Sequence, residues 1–455
     1  MAGKKTKDMT VGSPMKLILG FSVPLLFGFL FQQLYNVVDL IIVGRFLGVE
    51  ALAGVGATGS VNFLVIGFCM GICNGFAIPV AQKFGAGDYA GLRKFVANSV
   101  WLSACFATVM TITVTILCKR ILTWMQTPTD IFDKSYLYIF IIFCGIPATF
   151  LYNILSGIIR SLGDSKTPLF FLVLSSLLNI GMDLLFIGVF HTGIEGAAYA
   201  TVLAQLISGL LCLLYIKKNF EILHIKKEEW KINTDYMKTL CGMGIPMGLQ
   251  YSITAIGSVI LQSSVNGLGA IAVASVASAN KVSMFFACPF DALGSTMATY
   301  GGQNVGAKKL ERLGSGLRAS CILGAVYSVV AFVFLYFCGG ALLSLFTDGS
   351  EVAVLENARK MLLFSSATYI PLALVNIIRF LIQGMGFSRF AIFAGVFEMI
   401  ARAIAGLVLV PAFGFVGVCL ASPLAWVLAD MFLIPAYLHV RRKLEKMLYP
   451  SLEPA

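Results

Sequence analysis

Twelve long stretches of this sequence carry almost no charge, and each could cross a bilayer as a helix, which takes about 20 mostly apolar residues. Only 12% of the 455 residues are charged, too few to cover a water-soluble protein of this length. High apolar content also excludes a disordered chain. We therefore expect an all-α polytopic membrane protein with twelve transmembrane helices. They are predicted at 15–43, 52–80, 94–118, 135–157, 168–190, 194–216, 239–263, 270–300, 316–343, 360–383, 390–411 and 414–438.

The basic residues between these stretches predict the orientation of the chain, because Lys and Arg collect on the cytoplasmic side of a membrane. With the N-terminus inside, 24 of the 33 basic residues lie on the cytoplasmic side, 6 lie outside, and 3 lie near or within spans. Both termini are therefore predicted to be cytoplasmic. The net charge of +11 is explained by topology, and we expect no nucleic-acid partner.

The sequence repeats once at a shift of about 222 residues. MKLILGFSVP at 15–24 aligns with MKTLCGMGIP at 237–246, and Gly193 and Gly196 align with Gly414 and Gly417. We predict an N-terminal six-helix lobe over 1–216, a cytoplasmic linker over 217–237, and a C-terminal six-helix lobe with its tail over 238–455. Two parallel six-helix lobes around a central cleft are typical of an alternating-access carrier.

Motifs of other classes do not occur in the sequence. We find no channel filter motif, no GxxxxGK[ST] and no HExxH or GxSxG. The expectation is a protein that is not an enzyme, has no cofactor, and sits in a lipid bilayer.

Two of the predicted spans carry a polar stripe on one helical face. The first span has Gln32, Tyr35, Asn36 and Asp39, and the fifth has Ser175, Asn179 and Asp183. Polar faces avoid lipid, so both stripes are predicted to face the protein interior or a wet cavity. The amide side chains could equally hold neighbouring helices together by hydrogen bonds. An ionisable residue at bilayer depth costs roughly 2.5–3.5 kcal/mol and is a functional candidate by default.

The two aspartates suggest a site for a coupling ion. Two carboxylates in one low-dielectric lobe do not both ionise easily, so the pair can take up a proton or a small hard cation such as Na⁺, with other oxygens completing the coordination. Thr201 in the sixth span is a plausible extra ligand, and no other metal is expected. The repeat alignment places Leu261 opposite Asp39 and Gly406 opposite Asp183, so the site is predicted in the N-terminal lobe alone.

Other residues have two interpretations each. Pro24 can bend the first helix in response to Asp39, or make a kink needed only for packing. Glu398 and Arg402 are four residues apart, and their simplest interpretation is an internal ion pair. Asp291 could attract a cationic substrate, as a weaker candidate.

The stretch from Pro24 to Asp88, the segment RSLGDSKTP at 160–168 and the repeated six-helix plan resemble the multidrug and toxic compound extrusion (MATE) family. The resemblance covers essentially the whole chain. It implies a cation-coupled antiporter, driven by H⁺ or Na⁺, that expels small organic and often cationic compounds from a bacterial or archaeal cell across the plasma membrane. We expect a monomer.

Within the family, the chain resembles the prokaryotic branch typified by the DNA-damage-inducible protein F. That branch has its cation site in the N-terminal lobe, and its motif positions match Pro24, Asp39, Asn179, Asp183 and Thr201, with Tyr35 and Asn153 in the same hydrogen-bond network. The branch typified by the norfloxacin-resistance transporter has an acidic residue on helix 7, which is absent here between Tyr236 and Gly267. A C-lobe cation site of that type is therefore not expected.

Two alternatives remain open at this point. A flippase for lipid-linked saccharides of the same superfamily would favour a cationic cleft and more than twelve spans. A non-transporting membrane scaffold or receptor would show no gradient-dependent flux.

Overall fold

The computed structural model describes residues 6–345 and 352–449, and within them every regular element is a helix. The α-helices are α1 (Pro14–Leu47), α2 (Val49–Gly85), α3 (Tyr89–Trp124), α4 (Phe132–Cys144), α5 (Ile146–Ser161), α6 (Lys166–Asp183), α7 (Ile194–Asn219), α8 (Thr234–Asn266), α9 (Ala270–Gly306), α10 (Glu311–Leu343), α11 (Val352–Ala367), α12 (Tyr369–Gly384), α13 (Arg389–Ile404), α14 (Val410–Phe413) and α15 (Phe415–Leu448).

The predicted number of spans is confirmed within these residues. Ten helical spans are long and apolar enough to cross a membrane, and counting the bent pairs α4–α5 and α11–α12 as one span each gives twelve. The bends are 47° and 52°. Pro147 and Pro371 lie just after them, and proline removes a helical hydrogen bond and clashes with the preceding turn.

Two short π-helices mark the repeat in the structure. Leu184–Val189 continues α6, and Ala405–Leu409 continues α13. These segments occupy corresponding positions in the two halves of the sequence, and each has the wider turn that is often found at functional sites. The linker contains two short 3₁₀ turns, Glu221–Leu223 and Lys227–Trp230.

Close packing divides the chain into two units. The first contains Phe27–Gly248 and a short stretch ending at Asp8, and the second contains Met9–Leu26 and the chain from Leu249 onward. Besides the boundary after Asp8, two boundaries fall inside a helix, α1 or α8, and each of these two lies two residues after a proline, Pro24 or Pro246. The division into lobes that the repeat predicts lies at the linker, 217–237, and not within α1 and α8. That division stays a prediction.

The first unit is built around α2, which packs on α5, and α6, which packs on α7. Its α2 also crosses the first half of α8 through glycines at both sides of the contact. A Cβ atom added to Gly71 would lie 2.6 Å from the carbonyl oxygen of Met247. The two backbones therefore touch, as small residues allow in membrane bundles.

The second unit repeats these pairings with its own helices. α9 packs on α12, and α13 packs on α15. Residues 9–13, just before α1, belong to this unit. The Met9 amide donates to Gln303 Oε1 at 2.8 Å, and Arg312 donates to the Gly12 carbonyl at 2.9 Å.

Candidate functional site

The polar stripe of the fifth predicted span lies on α6 and is buried inside the first unit. Ser175, Asn179 and Asp183 are 9%, 2% and 0% exposed. Their spacing of four residues places them on one face of the helix. Asp183 is the last residue of α6 and directly precedes the π-helix Leu184–Val189. A carboxyl group is thus held at the change of helical pitch, deep in the unit.

The stripe of the first span lies on the second half of α1, which belongs to the same unit. Asp39 is buried, whereas Gln32, Tyr35 and Asn36 are half-buried. Pro24 lies fifteen residues before Asp39, or about 22 Å along the helix axis at 1.5 Å per residue. Any influence of Pro24 on the carboxyl groups would therefore act through the helix.

The two carboxyl groups meet. Asp39 and Asp183 lie close enough for a side-chain hydrogen bond between them. Such a bond requires one proton, because two ionised carboxylates have no hydrogen to share. The hydroxyl groups of Tyr35 and Tyr138 are near enough to interact electrostatically with both. The site therefore holds two acids in an arrangement that can share one proton.

The neutral predicted residues form a short chain of bonds beside this pair. Asn179 Nδ2 donates to Thr201 Oγ1 at 3.2 Å, and Thr201 Oγ1 donates to the Ala197 carbonyl at 3.1 Å. This bond links α6 to α7 and fixes the side chain of Asn179. Asn153 donates to the Thr149 carbonyl of its own helix, α5, at 2.8 Å.

The oxygen set also fits a small hard cation. The buried Asp39 Oδ1 has no hydrogen-bond partner in the described part of the chain. Carboxylate, amide and hydroxyl oxygens are the ligands that such a cation prefers. Asp39, Asp183, Asn179 and Thr201 could therefore hold Na⁺ as well as a proton.

The candidates of the second half have other surroundings. The predicted pair of Glu398 with Arg402 occurs at 3.8 Å, but Glu398 makes a much closer bond with Arg379, at 2.9 Å. The main partner of Glu398 thus comes from the neighbouring helix α12, which a search along one helix face does not find. Asp291 lies on α9 and is exposed.

Sequence reasoning missed two residues. Tyr138 on α4 is 8% exposed and is near enough to interact electrostatically with the carboxyl pair, but it belongs to no periodic polar stripe. Asp430 on α15 is 7% exposed. It lies within the twelfth predicted span, so the search for ionisable residues at bilayer depth could have found it.

Within the described residues, the chain has twelve membrane spans, counting each bent pair as one, and it buries a carboxyl pair in its first unit. With the internal repeat, these features define a polytopic membrane protein of the carrier class. The MatE family model matches the chain twice, over residues 24–185 and 246–408. The chain belongs to this family of membrane transporters. The two matched regions are offset by the same interval as the internal repeat.

Curated relatives and solved structures agree with this assignment. The probable multidrug resistance protein YoeA of Bacillus subtilis (strain 168) is 29% identical over 390 residues, which cover 84% of this chain and 83% of YoeA. The probable multidrug resistance protein YpnP of the same organism is 30% identical over 313 residues, 68% of this chain and 69% of YpnP. An outward-facing multidrug resistance MATE family transporter shares the fold with a TM-score of 0.90 at 22% identity, over 99% of this chain and 100% of that one.

Proposed function

We propose that this chain is a cation-coupled antiporter that exports small organic compounds by alternating access. The observation that carries the proposal is the meeting of Asp39 and Asp183 inside the first unit. A buried acid pair that shares one positive charge can exchange it when the site opens to the other side of the membrane. The names of the relatives, multidrug resistance proteins, support drug-like substrates.

The coupling ion is H⁺ or Na⁺ in this proposal. With a proton, Asp39 and Asp183 share it directly. With Na⁺, both carboxylates ionise around the metal, and the oxygens of Asn179 and Thr201 complete its coordination. The acidic site also favours cationic substrates, because a substrate that approaches the same carboxylates competes with the coupling ion. Competition of this kind is the linkage that an antiporter requires.

The location follows from the loop charges. We propose that the protein spans the plasma membrane of a bacterium or archaeon as a monomer, with both termini in the cytoplasm. The concentration of Lys and Arg in alternate loops supports this orientation.

The test uses proteoliposomes with proton and sodium gradients imposed separately, and the fluorescent cation ethidium as the transported probe. One pH unit is worth 1.36 kcal/mol per proton. Exchange of one proton for one substrate therefore sustains up to about a tenfold concentration ratio of ethidium at that gradient. The same tenfold ratio applies to a tenfold sodium gradient and one Na⁺.

Asp39→Asn and Asp183→Asn should both abolish gradient-driven accumulation, because neither amide can release a proton or neutralise a cation. Asp235→Asn is the matched control, since Asp235 is exposed at the start of α8. The control should transport as the wild type does. Normal accumulation by both site variants would refute the assignment of the site.

A further inference from the structure

A second buried carboxyl group lies in the other unit. Asp430 on α15 is 7% exposed, and its Oδ1 has no hydrogen-bond partner among residues 6–345 and 352–449. A buried acceptor without a donor is costly, and more so when it carries a charge. Its surroundings therefore decide which protonation state it takes.

Three charged side chains lie together, and two of them are near Asp430. Arg379 Nη1 donates to Glu398 Oε1 at 2.9 Å, and Arg402 lies 3.8 Å from the other oxygen of Glu398. Arg379 and Glu398 both act on Asp430 electrostatically. We call Arg379, Glu398, Arg402 and Asp430 the C-terminal charge cluster.

The charges of this cluster do not balance without Asp430. Two arginines and one glutamate sum to +1, so an ionised Asp430 makes the cluster neutral and a protonated Asp430 leaves it at +1. Asp291 on α9 also interacts with Arg379 and offsets part of this positive charge when it is ionised. The excess positive charge favours the ionised form, whereas burial without a donor at Oδ1 favours the protonated form. The two effects oppose each other at a single carboxyl group.

The remaining neighbours of α15 do not decide this balance. α14 and the π-helix Ala405–Leu409 contain no ionisable residue. On α11, the charged residues Glu356, Arg359 and Lys360 are exposed, and Glu356 and Lys360 lie 3.9 Å apart. Cys321 on α10 is near enough to interact with Asp430, but a thiol is neutral at ordinary pH.

The cluster belongs to the second half of the chain alone. In the repeat alignment, the positions of Arg379, Glu398, Arg402 and Asp430 correspond to Ser156, Ser175, Asn179 and Gly209. None of these counterparts carries a charge, although the helices pair in the same way in both units. The shared scaffold therefore folds without such a cluster, and the charges serve another purpose.

We propose that Asp430 is a second proton-binding site of this transporter, which takes up and releases one proton independently of the Asp39 and Asp183 pair. A metal cation fits poorly, because the nearby Arg379 guanidinium repels it and Glu398 is already engaged by Arg379 and Arg402. An anion fits poorly because Asp430 itself repels it. The proton remains the one ligand whose binding the geometry favours.

The experiment is infrared difference spectroscopy of the full chain in lipid, titrated with pH. A protonated carboxyl group absorbs infrared light at a different frequency from an ionised one. Each titrating acid therefore contributes a band that grows as the pH falls. The background is the double variant D39N/D183N, which removes the first-unit pair. The outcome is then independent of the proposed coupling site.

In that background, we expect a protonated-acid band that titrates and is lost when Asp430→Asn is added. Asp430→Glu should restore the band at a shifted frequency, since it keeps the acid but changes its position. Gel filtration and circular dichroism establish that each variant is folded.

Two results would overturn the proposal. One is an identical titration of D39N/D183N with and without Asp430→Asn. The other result applies if the Asp430→Asn variant does not fold. In that case, a spectrum of Asp430→Glu in the D39N/D183N background that is identical to the spectrum of D39N/D183N alone would overturn the proposal. Either result would mean that Asp430 stays ionised and only balances charge.

Discussion

The crossing of α2 with the first half of α8 gives a sharp prediction about stability. A Cβ atom at Gly75 would lie 2.7 Å from the amide nitrogen of Gly244 and 2.7 Å from the carbonyl oxygen of Met243. Non-bonded heavy atoms pack best at about 3.5–4.0 Å, so Gly75→Ala must push the helices apart by about 1 Å. The obstacle is backbone on the other helix, which no side-chain rotation can move.

Overpacking of this kind costs about 1–3 kcal/mol. At roughly 2–4 °C per kcal/mol for a unit of 150–250 residues, Gly75→Ala should lower the melting temperature by about 2–12 °C. Gly56→Ala is the matched control, because Gly56 lies on the same helix and a Cβ there meets nothing within 4 Å. The control should stay within about 0.5 kcal/mol of the wild type.

The assay is thermal unfolding in detergent with a thiol-reactive fluorogenic dye. Cys69 and Cys73 on α2 are buried free thiols next to the crossing, so the dye reports when this helix loses its packing. Equal melting temperatures for the Gly75→Ala and Gly56→Ala variants would refute the close approach of the two backbones.

Two further substitutions test ion pairs outside the proposed coupling site. Arg93 Nε donates to both oxygens of Glu229, at 2.8 and 2.9 Å, and this bond holds the pKa of Glu229 below its ordinary value. Glu229→Gln should therefore cost about 1.5–3 kcal/mol at neutral pH. A depressed folded pKa means that this stability is lost as the pH falls, so wild type and variant should converge in acid; a constant difference would contradict the pairing. Glu398→Ala leaves Arg379 and a second arginine without their carboxylate partner and should cost about 3–5 kcal/mol in the same dye assay. The double variant Arg379→Met/Glu398→Met should be more stable than the single alanine variant, and the opposite order would contradict the account.

The membrane spans could be predicted from the sequence because exclusion of charge from a bilayer is a property of each stretch by itself. The bends within α4–α5 and α11–α12 could have been predicted as well, since Pro147 and Pro371 are visible in the sequence. The G-x-x-x-G pattern at 71–75 recurs at 244–248, and this spacing is typical of close helix packing.

Contacts between helices could not be predicted in the same way. The pairing of Glu398 with Arg379 depends on how α12 packs against α13, whereas periodicity along one helix finds only the longer contact with Arg402. Tyr138 reaches the carboxyl pair from α4, and nothing in its own helix indicates this neighbour. The periodicity of the sequence shows which face of a helix is polar, whereas only the packed structure shows which helix faces are in contact.

The difference between the two halves separates what the scaffold needs from what the function needs. Both halves have a proline in their first long helix, a π-helix at the corresponding position, and the same helix pairings. Buried charge is not repeated: the first half has Asp39 and Asp183, where the second has Leu261 and Gly406. Because each half folds without the charges of the other, the cost of burying them is not explained by folding. That cost is explained if each set binds an ion of its own, as we propose for the carboxyl pair and for Asp430.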